Sequence, residues 1–296
     1  MSDKKVIAGY RVLAKIGTGA ASELYAVQDP KTKQVWALKH VVRHSEKDDR
    51  FLEQVLQEYA VGSRLKHPNV RGMHRVVKHR KLFSVNAISL LMELVDATPL
   101  DQRLPRTDTQ AVKIFRQVAA GLAHMHGRGF VHADIKPSNV LVTDEDEVKI
   151  IDLGQGCPIG TVKKRIQGTP GYMAPEQAHR QTITEKTDIY NLGATMYWVL
   201  VREVIPTALP PKEDGGPLYS GALDAEMVTA PIPPHVRNPR IHPLLSKQIM
   251  DCVQLDPDDR PESMQFVCNR LDLIAELLEH PANGGPTVPA GEETQL

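Results

Sequence analysis

Two acidic residues, Asp134 and Asp152, each follow a short apolar run. The runs at 130–131 and 148–151 are typical of buried strands, so each acid is expected close to the point where a strand ends. Two loops of this kind can bring their side chains to one point. A lone acid in such a place is more often a turn residue or a helix cap than a catalytic group, so its neighbours decide the interpretation.

The neighbours of these acids complete a set that suits phosphoryl transfer. Lys136 and Asn139 follow Asp134 within five positions, and Asp152 comes eighteen positions after Asp134. One carboxylate can accept a hydroxyl proton, and the lysine can balance phosphate charge. The amide and the second carboxylate can hold Mg²⁺ through oxygen ligands. Together the residues indicate this chemistry far more specifically than any one of them does.

The composition is ordinary for a soluble globular protein. Of the 296 residues, 41% are hydrophobic and 24% are charged, and 36 basic residues balance 36 acidic ones. A chain of zero formal net charge has no global field that would attract nucleic acid or an anionic membrane, so neither is expected as a partner. Three cysteines without metal spacing predict a reducing compartment, and the apolar stretches are too short or interrupted to span a bilayer. We therefore expect a cytoplasmic protein.

The first third of the chain is expected to form an antiparallel sheet with one helix. Alternating apolar residues separated by turn signals predict five strands. An apolar stripe of helical period predicts a helix between the third and the fourth strand. The predicted strands are 10–16, 23–28, 35–41, 70–77 and 82–95, and the predicted helix is 48–65.

Two features of this sheet bear on phosphate binding. Gly17 and Gly19 lie at a hairpin tip, where backbone N–H groups can approach a phosphate closely. A plain hairpin is an equal alternative for the tip alone. Lys39 lies inside an apolar strand, and an unpaired buried ammonium is costly, so Glu58 beside the apolar stripe of the helix is a candidate partner. The alternatives are a Lys39 that reaches solvent and a Glu58 that pairs on the helix surface.

The pattern changes near residues 95–99, where mainly strands give way to mainly helices. We expect helices near 108–126, 187–201, 243–254 and 262–279, of which the second is apolar nearly all round and therefore buried. The proline-rich segment 203–240 is expected to be mostly loop. The predicted organisation is an N-terminal extension 1–9, an N-terminal lobe 10–95, a C-terminal lobe 96–279 and a disordered tail 280–296.

In this order and spacing, the motifs resemble the eukaryotic-type protein kinase family. The resemblance covers about residues 8–278, and the stretches 168–177 and 187–194 are most similar to bacterial serine/threonine protein kinases. It implies an α+β bilobal fold, with a five-stranded antiparallel N-terminal lobe that carries one helix and a mainly helical C-terminal lobe. It also implies transfer of the γ-phosphate of ATP, with Mg²⁺ or Mn²⁺, to a serine or threonine of a protein substrate. A dimer is one route to autophosphorylation.

The resemblance implies a role for each candidate site residue. Asp134 would orient the acceptor hydroxyl and take its proton, and Lys136 would neutralise the γ-phosphate. Asn139 and Asp152 would hold the metal ion. Two further implied roles are structural. Glu176 would pair with Arg260, and Asp188 would anchor the catalytic loop 132–139. The implied nucleotide-binding residues, besides the two metal ligands, are Ile16, Gly17, Gly19, Lys39, Glu58, Met92, Glu93 and Val95.

Four departures from the family pattern matter. Ser22 replaces the third glycine of the phosphate loop, and Leu153 replaces the usual phenylalanine before Gly154. Ala133 replaces an arginine that normally binds a phosphate on the activation segment, so activation through that pairing is not expected. The segment 152–176 is also short. A phosphate at Thr161 would lack the usual cation, and the nearby substitutes are Lys163, Lys164 and Arg165.

Three alternatives concern function and the thiol of Cys157. The irregular glycine loop and Ala133 would suit a non-catalytic nucleotide-binding scaffold, but the complete polar set favours an active enzyme. A small-molecule phosphotransferase of related fold would usually lack the segment 174–176 and its partner Arg260, both present here. Cys157 is interpreted as a small apolar filler, with a redox-sensitive thiol as the alternative.

Overall fold

The structure is a computed structural model that describes residues 5–19, 21–81, 84–208 and 227–280. Its strands are β1 Val6–Ile7, β2 Tyr10–Thr18, β3 Ser22–Gln28, β4 Val35–Val42, β5 Met73–Lys81, β6 Ser84–Met92, β7 Thr98–Pro99, β8 Phe130–Val131, β9 Val140–Val142, β10 Val148–Ile150, β11 Cys157–Pro158, β12 Thr161–Val162 and β13 Thr182–Ile183. Its helices are α1 Asp49–Gly62, α2 Asp108–Gly127, α3 Pro175–Ala178, α4 Glu185–Val201, α5 Pro234–Arg237, α6 Pro243–Cys252 and α7 Met264–Glu279.

The N-terminal part is an antiparallel sheet in the order β1-β2-β3-β4-β6-β5. The predicted strands and helix are present. Segment 1–9 was expected only as an extension, yet it supplies the short strand β1, because Ile7 is buried against Tyr10 and Tyr25 on the outer face of the sheet. The opposite face packs against α1 through an apolar cluster that includes Val41, Val55 and Leu90.

The ends of the strands and helices differ from prediction by a few residues. For β5 the cause is a contact between residues far apart in the sequence. The fourth predicted strand was to begin at residue 70, but β5 begins at Met73. Val70 instead bridges to Ile150, a residue of the second lobe. The helix predicted to reach residue 65 ends at Gly62. Residues 82–83, placed in the fifth predicted strand, lie outside the described residues.

The C-terminal part is mainly helical and has the larger core. Residues 187–197 of α4 are all buried, as predicted, and α2, α6 and α7 surround this helix. Thr107 is the N-cap of α2, and its hydroxyl accepts from the Gln110 N–H at 3.1 Å. Residues 209–226 of the predicted loop 203–240, and the predicted tail after His280, lie outside the described residues.

Two small sheets carry the functional loops between these helices. Strands β7, β9 and β10 form one sheet, and β8 pairs with β11 in another. The loop 132–139 therefore leaves β8 and returns through β9, whereas Asp152 follows β10 directly. Within the described part of the chain, none of the helices is both long and apolar enough to cross a membrane.

Candidate active site

Asp188, at the centre of the second lobe, holds the loop 132–139 from below. Its carboxylate is fully buried and accepts hydrogen bonds from the backbone N–H groups of His132 and Ala133, each at 2.8 Å. The ring nitrogen of His126 lies 2.8 Å from the same carboxylate. Burial raises the pKa of Asp188, but the bonds from His126 and the loop outweigh it and the pKa falls below its usual value. Ala133 is thereby held at a φ of 60°, in the left-handed region that side chains rarely adopt.

Asp134 lies at the centre of a short polar network. Its Oδ1 accepts from the Thr169 hydroxyl at 2.8 Å, and its Oδ2 lies 3.3 Å from the Lys136 ammonium. Lys136 Nζ also donates to the Thr169 hydroxyl at 2.8 Å. The Asn139 amide nitrogen donates to the Asp134 carbonyl at 2.9 Å, which leaves the amide oxygen for another partner. These contacts hold a carboxylate and a cation of the loop 132–139 side by side.

The second acidic loop meets the first through backbone contacts. His132 Nε2 lies 3.0 Å from the Ile151 carbonyl, and the Ile151 N–H donates to the Asn139 carbonyl at 3.0 Å. Asp152 follows with a φ of 61°. Its Oδ1 is buried and has no hydrogen-bond partner within the described residues, although it lies 3.7 Å from the Lys39 ammonium. Such an orphaned carboxylate oxygen is unusual in a folded protein and suits a ligand that supplies positive charge.

Lys39 and Glu58 form the predicted buried ion pair, with Nζ and Oε2 2.7 Å apart. Glu58 is 2% exposed, and burial raises its pKa against the opposing pull of Lys39. Burial lowers the pKa of Lys39, but attraction to Glu58 and Asp152 outweighs it, so the lysine pKa is raised. The ammonium is thus kept charged between two carboxylates from different parts of the chain.

Helix α1, which carries Glu58, is fixed to the segment after Asp152. The Gln57 side-chain nitrogen donates to the Gly156 carbonyl at 2.9 Å. A Cβ on Gly154 would lie 2.8 Å from the side chain of Gln54, which would have to move to make room for it. The helix position therefore links the Lys39 pair to the backbone around Asp152.

The hairpin between β2 and β3 covers the same cleft. The Gly19 N–H donates to the Ser22 carbonyl at 2.7 Å, and a Cβ on Gly19 would lie 2.7 Å from the Ser22 hydroxyl oxygen. A cavity of about 200 Å³ lies under the hairpin and is lined in part by Gly19, Ser22, Lys39 and Asp152. Gly17 and Ile16 lie on β2 beside a bulge, and Ile16 is 45% exposed. The serine at the third glycine position is thus part of the cavity wall.

The residues expected at the adenine site lie at the end of β6. Met92 is buried. The backbone of Glu93 is already engaged, since its N–H donates to the Gly72 carbonyl at 2.8 Å and its carbonyl accepts from Arg71 Nε at 2.9 Å. The Val95 backbone, by contrast, makes no hydrogen bond within the described residues. Of the predicted site residues, Gly19, Lys39 and Asp152 line the cavity under the hairpin, and Glu93 has fewer free backbone groups than Val95.

Comparison with known proteins agrees with this geometry. A sequence model of the protein kinase domain matches residues 10–272. The chain belongs to the protein kinase family. Its N-terminal sheet and helical C-terminal part are the two lobes of the α+β kinase fold, with the cleft between them. Serine/threonine protein kinases, bacterial members included, are its similar relatives.

Three relatives illustrate the extent of the similarity. The serine/threonine-protein kinase pkn3 of Myxococcus xanthus is 30% identical over 290 residues, which cover 92% of this chain and 51% of the relative. Mitogen-activated protein kinase kinase 2 of Arabidopsis thaliana is 30% identical over 274 residues, 90% of this chain and 70% of the relative. The inactive serine/threonine-protein kinase PLK5 of Mus musculus is 31% identical over 259 residues, which cover 85% of this chain and 41% of the relative. The chain spans about half the length of the curated relatives it matches.

The structural pairing expected within the kinase C-terminal lobe is confirmed. Arg260 binds both carboxylate oxygens of Glu176, at 2.8 and 2.9 Å, and both side chains are buried. The Thr187 hydroxyl donates to Glu176 as well, at 2.8 Å. This bidentate pair fixes α3, which follows the activation segment, to the base of the lobe.

Ala133 lies in an apolar cluster with Val131, Cys157 and Ile183. Its carbonyl accepts from the Gln177 side chain at 2.7 Å, so this kinase ties the loop 132–139 to α3 by an amide. Burial raises the pKa of the Cys157 thiol, which supports the prediction of an apolar filler over a reactive thiolate.

Two contacts of the site come from the stretch 168–177, for which no contact with the loop 132–139 was predicted. Thr169 is the direct partner of both Asp134 and Lys136, and Gln177 is the partner of the Ala133 carbonyl. A polar residue between glycine and proline, as in Gly168–Pro170, was the available signal for Thr169; nothing local in the sequence distinguishes Gln177.

Proposed function

We propose that the chain is an active protein serine/threonine kinase that transfers the γ-phosphate of ATP to a protein hydroxyl. The observation that carries the proposal is the Asp134 network. The Thr169 hydroxyl and the Lys136 ammonium both contact this carboxylate, at 2.8 and 3.3 Å, on the loop whose Asn139 carbonyl accepts from the Ile151 N–H next to Asp152. A carboxylate held this way can orient an incoming hydroxyl and take its proton, while the lysine balances charge on the phosphate.

Asn139 and Asp152 are proposed as the metal ligands. Both offer oxygen donors, which Mg²⁺ prefers, and Asp152 Oδ1 is buried without a hydrogen-bond partner. Bound Mg²⁺ would neutralise negative charge on the phosphates. Because the carboxylate and amide oxygens are positioned by the backbone of the two loops, they need little rearrangement to accept a cation.

The nucleotide is proposed to lie beneath the glycine hairpin. Lys39, held charged by Glu58, would bind the α- and β-phosphates, and Gly17 and Gly19 would let the backbone approach them. Ile16 and Met92 would flank the adenine. Of the backbone groups proposed to bond the base, those of Val95 are free, whereas the Glu93 carbonyl has only its second lone pair to offer.

Activation is proposed not to use a phosphate bound by the catalytic loop. Ala133 supplies no cation there, and the activation segment is instead held by side-chain bonds to backbone carbonyls. These include the Gln177 bond to the Ala133 carbonyl and a bond from Lys163 Nζ to the Gln155 carbonyl at 2.6 Å. The Lys39–Glu58 pair is formed together with these contacts, so the active arrangement does not require modification of Thr161.

Location and partners remain part of the proposal. The balanced charge and the three free thiols of the described residues support a cytoplasmic protein that binds ATP and a protein substrate and does not bind nucleic acid. A dimer is proposed only as the route to autophosphorylation. We also propose the division into an extension 1–9, lobes 10–95 and 96–279, and a disordered tail 280–296.

Transfer of labelled γ-phosphate from ATP, to the protein itself and to a generic basic protein acceptor, tests the proposed function. We expect Asp134→Asn and Asp152→Ala each to abolish transfer. Asp144→Asn is the control, because this aspartate is 90% exposed and outside the cleft. Full activity in either cleft variant contradicts the roles, and nucleotide binding without any transfer by the wild type indicates a scaffold.

A further inference from the structure

The stretch 153–184, between the proposed metal ligand Asp152 and the start of α4, has an unbalanced charge. It contains one acidic residue, Glu176, against four lysines and arginines. The four are Lys163, Lys164, Arg165 and Arg180. Glu176 is buried and bound to Arg260, so it neutralises none of them. The stretch is therefore strongly cationic in a chain whose formal net charge is zero.

Three of these cations have no partner among the described residues. Lys164, Arg165 and Arg180 are exposed, and their side chains form no ion pair or hydrogen bond in that part of the chain. Surface cations elsewhere commonly do have an acidic partner, as Lys15 has in Glu23. The three side chains are therefore free to meet negative charge from another molecule.

Strand pairing gathers the three cations at one place, which we call the basic surface. Val162 of β12 pairs with Thr182 of β13 in antiparallel register. Lys164 lies two positions after Val162, and Arg180 lies two positions before Thr182. The pairing therefore brings both toward the same end of this small sheet, and Arg165 follows Lys164 there.

The basic surface lies close to the proposed catalytic acid. Thr169, whose hydroxyl binds Asp134, follows Arg165 by four positions, a span of at most about 14 Å. Burial lowers the pKa of Lys163, whereas the Asp134 carboxylate acts to raise it and Arg165 to lower it. The Lys163 ammonium is thus in electrostatic range of both groups. A substrate hydroxyl that reaches Asp134 brings its flanking residues within reach of these cations.

We propose that the basic surface selects acceptor segments that carry aspartate or glutamate beside the serine or threonine. Acidic side chains there would meet cations that the described residues leave without a partner, whereas basic side chains would be repelled. Because the three cations are exposed, they act on the encounter and binding of the substrate rather than on the transfer step. The inference rests on the proposed kinase function, since it names the substrate class of the same site.

Phosphorylation of a peptide library by the full chain tests the inference. Each peptide has one central serine or threonine and randomised flanking positions, and mass spectrometry identifies the products. We expect aspartate and glutamate to be enriched beside the modified residue, and lysine and arginine to be depleted. An acidic peptide from the enriched set then serves as the substrate for steady-state kinetics.

Charge reversal on the basic surface should weaken the binding of this acidic peptide. Lys164→Glu and Arg165→Glu should each raise its KM about threefold, with kcat and the KM for ATP unchanged, because exposed charge pairs contribute little individually. Lys78→Glu is the matched control. Lys78 is exposed on β5 in the other lobe and is unpaired among the described residues, and its reversal changes the net charge equally. The KM should be unchanged in this control.

The outcomes separate the inference from the proposed function. Acidic enrichment, with a KM that rises in the two basic-surface variants and not in the control, supports the inference. Products without acidic enrichment, or self-modification without any library product, overturn it and leave the kinase function standing. Equal effects of Lys164→Glu and Lys78→Glu also overturn it, because they indicate attraction to the net charge. Wild-type protein that transfers phosphate neither to the library nor to itself refutes the kinase function, and the inference with it.

Discussion

Two ion pairs of the described residues, Arg260–Glu176 and Lys39–Glu58, differ in how completely their polar atoms are hydrogen-bonded. In the C-terminal lobe, Arg260 and Glu176 are 0% and 4% exposed and meet through two bonds, at 2.8 and 2.9 Å. The remaining guanidinium hydrogens bond backbone carbonyls, among them that of Gln254 at 2.8 Å. In the cleft, Lys39 meets Glu58 through a single bond, and the lysine is 20% exposed.

The cleft pair is the one whose described surroundings leave a polar atom unsatisfied. Buried polar groups are normally hydrogen-bonded within the protein. A fully bonded pair such as Glu176–Arg260 therefore indicates a structural role. The cleft pair lies beside Asp152, whose Oδ1 has no hydrogen bond in the described part of the chain. A set left incomplete by the protein is one that a substrate and a cation can complete.

Removing the cleft cation provides the largest expected effect. Lys39→Met should lower the transfer rate by about 10²–10³-fold, because a fixed positive charge at the phosphates is lost. The folded structure should survive, since the raised pKa of Glu58 lets this buried acid take up a proton. Steady-state kinetics with labelled ATP measure the rate.

Lys15→Met is the control for this variant. Lys15 also forms an ion pair with a glutamate, Glu23, at 2.6 Å, but both side chains are nearly half exposed. Its loss should leave the transfer rate unchanged. If the two lysine variants behave alike, the comparison between the cleft and the rest of the molecule fails.

Breaking the structural pair should act on stability instead. Glu176→Gln leaves the buried Arg260 without its counter-charge, which costs about 3–5 kcal/mol. For a chain of this size the midpoint of thermal unfolding should fall by about 10 °C. Calorimetry measures the midpoint, and transfer per folded molecule at low temperature should stay within about twofold.

Glu279→Gln, which removes an exposed partner of Lys113, is the control for the structural pair and should leave the midpoint unchanged. A Glu176→Gln protein with normal stability and no activity would reverse the assignment, because it would make this pair part of the chemistry.

Loosening α1 should have an intermediate effect on the cleft pair. Gln57→Ala removes the bond to the Gly156 carbonyl, worth about 1 kcal/mol. We expect transfer to fall a few-fold, because Glu58 on the same helix is less firmly held against Lys39. Gln265→Ala, on the exposed face of α7, is the matched control. Equal kinetics for both variants would show that the helix position does not depend on this contact.

The smallest effect concerns Cys157, which is buried near the cleft without being part of it. Burial raises the pKa of this thiol above its usual 9.0, so less of it is thiolate at any given pH. Labelling should be slower than for free cysteine at pH 8 and should still be rising above pH 9. Peptide-resolved mass spectrometry measures the rate. A rate equal to that of free cysteine would contradict the burial argument.

Sequence patterns predicted the elements well because apolar periodicity is a local signal. The buried α4 and the capped start of α2 at Thr107 follow from such signals. Sequence patterns failed where a strand residue pairs with a residue distant in the sequence. Val70 was placed in a strand of the N-terminal sheet, but Ile150 of the other lobe takes it as a bridge partner. The short strand β1 depends likewise on the outer apolar face that Ile7 covers.

By itself, the sequence determined which residues need an explanation. An ammonium inside an apolar strand, at Lys39, and the acids at 134 and 152 conflict with their apolar neighbours, and that conflict is visible without coordinates. The partners of these charged groups become visible only in the folded chain. Thr169 reaches Asp134 across 35 positions and Gln177 reaches Ala133 across 44, and such contacts depend on how helices and loops pack, which no local pattern encodes.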